Sequence, residues 1–229
     1  MEKSQTDFKM TVSKSSDEYV PSLKYDRLTS LYDSVQKWTF PELSSQSKLM
    51  NQSTIERGSH VLDIGCGTAT LTSLIKKNHP DAIVVGLDAD PKVIEIAKRK
   101  VVKDNLDIRF DLGFSNQLPY HNESFDVIFS SLLFHHLTKE KKIQTLKEVF
   151  RVLRPGREFH VADWGKPQNV FMRIAFLPVQ LLDGFETTSD NVKGLLPELF
   201  LNAGFNEIQQ TAKYSALFGT FLLHKLIKI

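Results

Sequence analysis

A chain of 229 residues with 29 basic and 27 acidic side chains carries a net charge of +2, too weak a field to suggest a nucleic-acid partner. Its hydrophobic fraction of 41% and charged fraction of 24% are ordinary for a globular protein, with enough chain for one large domain or two small ones. The single cysteine, Cys66, excludes an internal disulfide and fits a reducing compartment. No apolar core follows the charges of "MEKSQTDFKM", so no secretory signal is expected. The longest apolar run, "VFMRIAFLPVQLL", is too short for a bilayer span and is broken by Arg173 and Pro178. A cytoplasmic protein without stable membrane insertion is expected.

In chain order, residues 1–20 are rich in Ser, Lys, Asp and Glu and are expected to form a flexible tail. Over residues 21–56, Leu23, Tyr25, Leu28, Leu31, Tyr32, Val35 and Trp38 recur at three- and four-residue steps, which predicts an N-terminal helical cap. After Gly58 the pattern becomes strand, turn, helix. "HVLDI" and "AIVVGLD" read as buried parallel strands, with a helix over 69–78 between them. Asp90 followed by Pro91 marks a helix start, and that helix is expected to bury Val93, Ile96, Ala97 and Val101. "LDIRF", "SFDVIFSS" and "REFHVAD" supply three more strands, with an amphipathic helix over 139–153 stopped by Pro155-Gly156. Residues 190–205 predict one helix ending at Gly204, and two strand-like runs meet at Phe218-Gly219 as an antiparallel pair.

Strands alternating with helices predict an α/β fold with a mostly parallel sheet covered on both faces. No linker divides the chain, so residues 21–229 are expected to form a single domain. Ligands in such sheets sit beyond the carboxyl ends of the strands. Residues just after each strand are therefore the first candidates.

In "VLDIGCGTATL", Gly65 and Gly67 let the backbone turn sharply and approach a ligand, and a helix start follows. A dinucleotide fingerprint would place a third glycine at position 70, where this chain has Thr70. Asp63 would also repel a pyrophosphate; a carboxylate there suits an amino or sulfonium group. Asp88, at 88 − 65 = 23 positions after the first glycine, stands where an acid accepts bonds from both ribose hydroxyls of a nucleoside.

Taken together, "VLDIGCGTA", "GLDAD", "LPYHNESFDVIFSSLLFHHL" and "EVFRVLRPGREFHVADWG" resemble the successive signatures of the class I S-adenosylmethionine-dependent methyltransferases. The likeness is strongest to the branch holding the ubiquinone and menaquinone C-methyltransferases. It implies a Rossmann-like, seven-stranded, mostly parallel sheet with an antiparallel C-terminal hairpin, S-adenosyl-L-methionine as cofactor, and methyl transfer as activity. By that resemblance Asp63, Gly65, Cys66, Gly67 and Thr68 line the methionine part of the cofactor. Asp88 and Ala89 hold the ribose and adenine edge, while Ser130 and Ser131 meet the methionine amino group. Where the family often carries an acid for the adenine amino group, this chain reads Gly113, Phe114, Ser115. Phe114 is then expected to pack on the adenine, with Ser115 or the backbone reading its edge. Tyr25 and Tyr32 are expected to close over the cofactor.

Candidate bases are His135, His136 and Asp163. Adjacent histidines rarely ligate one metal and no second cluster accompanies them, so no metal is expected. Residues 164–190 form an insertion too apolar for a solvated loop, expected as a lid over a small apolar or aromatic methyl acceptor, with Trp164, Phe171 and Phe176 contacting it. The alternative is a non-catalytic cofactor-binding regulator or partner subunit. Self-association into a homo-oligomer is left open.

Overall fold

The computed structural model describes residues 42–216 and 219–229. The expected tail, most of the N-terminal cap with Tyr25 and Tyr32, and the turn before Gly219 lie outside the described residues.

Seven strands form one sheet: β1 (His60–Ile64), β2 (Ile83–Asp88), β3 (Arg109–Leu112), β4 (Phe125–Ser131), β5 (Leu153–Gly165), β6 (Glu207–Ala216) and β7 (Gly219–Ile227). Their order is β3-β2-β1-β4-β5-β7-β6. β1, β2, β3, β4 and β5 pair in parallel, while β7 runs antiparallel to both β5 and β6. The strand order reverses between β1 and β4, so the crevice beyond their carboxyl ends is the switch point where such sheets take ligands.

Alternation along β1 sorts its residues between two cores. Leu62 and Ile64 join Ile128, Phe159 and Val161 beneath α4 (Lys139–Val152) and α8 (Leu196–Asn202). Val61 faces the other side, with Val127, Phe129, Ala162 and Phe221, against α1 (Glu42–Asn51) and α2 (Thr70–Asn78). Strands covered on both faces have no solvent side, which is why they read as apolar runs.

Three elements differ from expectation, each for a local reason. α3 (Pro91–Lys103) buries Ile94, Ala97 and Val101, and Ile96 is 48% exposed; the three- and four-residue steps run from Ile94. The helix expected over 190–205 is two, because Gly194 takes φ +75 as the C-cap of α7 (Phe185–Lys193) and Pro197 opens α8. β5 begins at Leu153, and Pro155-Gly156 lie inside it rather than stopping a helix. Gly156 N donates to the Lys228 carbonyl there, which ties the start of β5 to the chain end.

Asp90 caps α3 as the sequence suggests, accepting from the N–H of Lys92 at 2.8 Å and of Val93 at 3.4 Å. Asp90→Ala is expected to cost about 1 kcal/mol, a fall in Tm of roughly 2–4 °C in a chain this size. Calorimetric unfolding checks this; an unchanged Tm would mean the cap carries no weight.

Candidate active site

The turn after β1 carries three left-handed residues in five positions: Gly65 at φ +68, Gly67 at φ +54 and Ala69 at φ +61. Gly65 N and Cys66 N both donate to the Leu87 carbonyl, which clamps the turn to the end of β2. A side chain at Gly65 would strike Leu133, whereas the space beside Gly67 is open to 4 Å. Cys66 is buried, and burial followed by the charges of Asp63 and Asp88 raises its thiol pKa, which leaves it a turn filler rather than a nucleophile. Thr68 is exposed at the tip.

Asp63 is 1% exposed and accepts from the Thr72 hydroxyl at 2.6 Å. Burial, helped by the negative charge of Asp88, pushes its carboxyl up to about 7 against the Thr72 bond, and no described basic side chain pairs with it. Asp88 is half-buried and accepts from Gly67 N at 2.9 Å through one oxygen and from Asp90 N at 3.0 Å through the other. It thus stitches the turn to the start of α3, with Ala89 between, a role invisible in the sequence. Across the β1–β4 pairing, Ser130 lies opposite Ile64, fully buried, with no hydrogen-bond partner for its hydroxyl among the described residues. Ser131 follows it at the half-buried strand end.

Beyond β4 the chain turns through a 3₁₀ segment, Phe134–His136. Asp163, near the end of β5 and 1% exposed, accepts from Phe134 N and Trp164 N at 2.7 Å, His135 Nδ1 at 2.8 Å and Asn191 Nδ2 at 3.1 Å. Burial opposes its charge, but His135 and these bonds outweigh it and hold the carboxyl below the usual range. His135, itself buried, is thereby fixed in orientation, with Nε2 turned 3.9 Å from an Asp183 carboxylate oxygen. Burial disfavours its imidazolium, yet Asp163 and Asp183 together raise its proton affinity. His136 is half-exposed, with Nδ1 3.8 Å from the other Asp183 oxygen.

A methyltransferase-domain family matches residues 61–156. A demethylmenaquinone methyltransferase of Symbiobacterium thermophilum is 26% identical over 91% of this chain and 92% of its own length. An uncharacterized methyltransferase of Synechocystis is 30% identical over 68% of this chain and 71% of its own. The chain belongs to the class I S-adenosylmethionine-dependent methyltransferases. It is an enzyme, and S-adenosylmethionine is its cofactor. The solved structure of Haemonchus contortus phosphoethanolamine N-methyltransferase 2, in complex with phosphomonomethylethanolamine and S-adenosylhomocysteine, shares the fold at a TM-score of 0.67 and 14% identity, over 81% of this chain and 53% of its own.

The residues of this methyltransferase fit that cofactor. A buried carboxylate without a cation, an unpartnered hydroxyl and an open glycine edge meet at the switch point, as a ligand with a positive end requires. Just after β3, Gly113 N bonds the Asp88 carbonyl and Phe114 stands 43% exposed. Ser115 departs from its expected part: its hydroxyl bonds Thr145 inside the core at 2.9 Å, because the chain after Phe114 turns inward under α4.

The expected lid of the methyltransferase divides. Trp164 is 2% exposed and Phe176 1% exposed, and the two rings pack edge to face at 5.7 Å. They belong to the core, since β5 runs on to Gly165 and carries Trp164 inside the sheet layer. Phe171, by contrast, is 71% exposed on α5 (Val170–Ala175). The sequence reading missed Asp183, which closes α6 (Leu177–Asp183), and Asn191 on α7. The signal for Asp183 was an acid after "VQLL", too common a pattern to single out without the fold. No helix among the described residues is long and apolar enough to cross a membrane.

Proposed function

We propose that this methyltransferase acts on a small apolar or aromatic acceptor, held between the Phe134–His136 turn and the helical segment over 166–190. One observation carries the reading: α5 and α6, which follow directly on β5, leave Val170, Phe171, Ile174 and Leu181 largely exposed, with His136 and Asp183 as the polar groups nearby. Ligand pockets combine apolar walls with a few polar guides in this way. The name of the Symbiobacterium relative, a demethylmenaquinone methyltransferase, agrees with an aromatic acceptor.

The cofactor supplies an electrophilic methyl on a sulfonium, so the protein's task is alignment and exclusion of water. Asp63 balances the positive end of the methionine part, with Gly65, Cys66, Gly67, Ser130 and Ser131 around it. Asp88 keeps one lone-pair site free on each oxygen for a ribose hydroxyl. Ala89 borders the nucleoside, and Phe114 offers its ring face to the adenine. His136, Asp183 and His135, the last held in place by the buried Asp163, handle the acceptor's polar atom.

Turnover of labelled cofactor against a panel of quinols, phenols, aliphatic amines and tRNA tests this. Product from a quinol or phenol is expected; product from amines or RNA alone overturns the reading. Phe171→Ala should raise the acceptor KM several-fold while stability stays within about 0.5 kcal/mol, since the ring is exposed. Lost cofactor affinity with an unchanged acceptor KM would move the segment to the nucleoside side.

A further inference from the structure

We propose that His135, His136 and Asp183 form a binding site for a divalent transition-metal ion. The donor atoms, one from each residue, lie within 4.8 Å of one another, and this is the only such group of three among the described residues. Two histidines and one carboxylate, with further positions open, make a set that suits zinc, cobalt, iron or nickel. Magnesium and calcium prefer oxygen donors throughout.

Three features favour an ion over plain contact between the side chains. First, both His–Asp183 separations, 3.9 and 3.8 Å, are too long for hydrogen bonds. They span two coordination bonds of about 2.0–2.2 Å to one centre after a shift of a few tenths of an ångström. Second, the Asp183 carboxylate is mostly buried, its side chain 17% exposed, and accepts no hydrogen bond from a described residue. A carboxylate so placed needs a positive partner. Third, His135 Nδ1 gives its proton to Asp163, which leaves the Nε2 lone pair outward. Asp163 is in turn held by Phe134 N, Trp164 N and Asn191. A carboxylate behind a ligand histidine fixes its tautomer and aim, as in many metal sites.

The ligands come from two places 47 positions apart, 183 − 136, the turn after β4 and the end of α6, so an ion would also lock the helical segment onto the sheet edge. Its open positions would take an oxygen of the acceptor. That catalytic use rests on the acceptor reading above; the site itself does not.

The test uses the full chain, stripped with a chelator and dialysed against Co²⁺. One equivalent of tightly bound Co²⁺ with visible ligand-field absorption, displaced by Zn²⁺, is expected. His136→Ala and Asp183→Asn should each weaken binding at least tenfold. His136 is half-exposed and Asp183 makes no side-chain hydrogen bond to a described residue, so both variants should fold; matching circular dichroism checks this. Absence of stoichiometric binding, or binding indifferent to both variants, overturns the site. Full turnover of a quinol by metal-free enzyme would overturn its catalytic use and leave the acceptor reading standing. Bound Co²⁺ with no turnover of any quinol or phenol would overturn the acceptor reading, and the catalytic use with it, and leave the site standing.

Discussion

Asp88→Ala raises the dissociation constant for S-adenosylmethionine by about 100-fold or more, measured by calorimetry on a variant whose fold is intact. Two charge-assisted bonds to ribose hydroxyls, each worth about 1.5–3 kcal/mol, set that scale. The structure adds a second loss. Without the carboxylate, Gly67 N and Asp90 N lose the acceptor that ties the glycine turn to α3, so the turn must be ordered anew at each binding event. Asp88→Asn separates the two effects, because its amide oxygen can keep one backbone bond while the charge is gone. An affinity near wild type in the asparagine variant would assign the loss to the turn alone. Wild-type affinity in folded Asp88→Ala would show that the ribose lies elsewhere.

Much of this arrangement was legible in the sequence because it is local. Buried parallel strands announce themselves as branched apolar runs, so Asp63 and Asp88 could be placed at strand ends from position alone, while Ser130 came with the family resemblance. Asp90 could be read as a cap because a cap is a contact between near neighbours. What escaped is non-local or hidden by equal composition. Phe171 and Phe176 look alike in an apolar segment, yet one is exposed and the other is sealed beneath Trp164. Ile94 steps to Ala97 by three and Val93 by four, and only the packing of α3 on β3 chooses between them. The meeting of Asp183 with the paired histidines depends on how three short helices stack after β5, and no periodicity encodes that.

Cofactor affinity should depend on pH through Asp63, with the sign set by its raised pKa. In the cofactor-free protein this carboxyl titrates near 7 because it is buried beside Asp88 with only Thr72 to support its charge. A cationic ligand end needs the ionised form. Below pH 7 each unit of acidification therefore weakens binding by about tenfold, to roughly 100-fold at pH 5, and above about pH 8 the affinity levels off. Binding at pH 6 should release close to one proton, seen as a dependence of the calorimetric enthalpy on buffer ionisation. Stability runs the opposite way. A carboxyl whose folded pKa lies above its unfolded value of 3.8 stabilises the fold fully below that value, and the contribution disappears as pH rises through about 7. The cofactor-free protein thus loses the Asp63 contribution between pH 4 and 8, and the cofactor restores it by pairing the charge. The rise in Tm on adding saturating S-adenosylhomocysteine should accordingly grow from pH 6 to pH 8. Asp63→Asn removes the titrating group, so its affinity should be low and flat with pH, with no proton released. A wild-type affinity that is itself flat from pH 5.5 to 8.5 would mean that Asp63 is already ionised before the ligand arrives, and that its charge is balanced by the protein rather than by the cofactor.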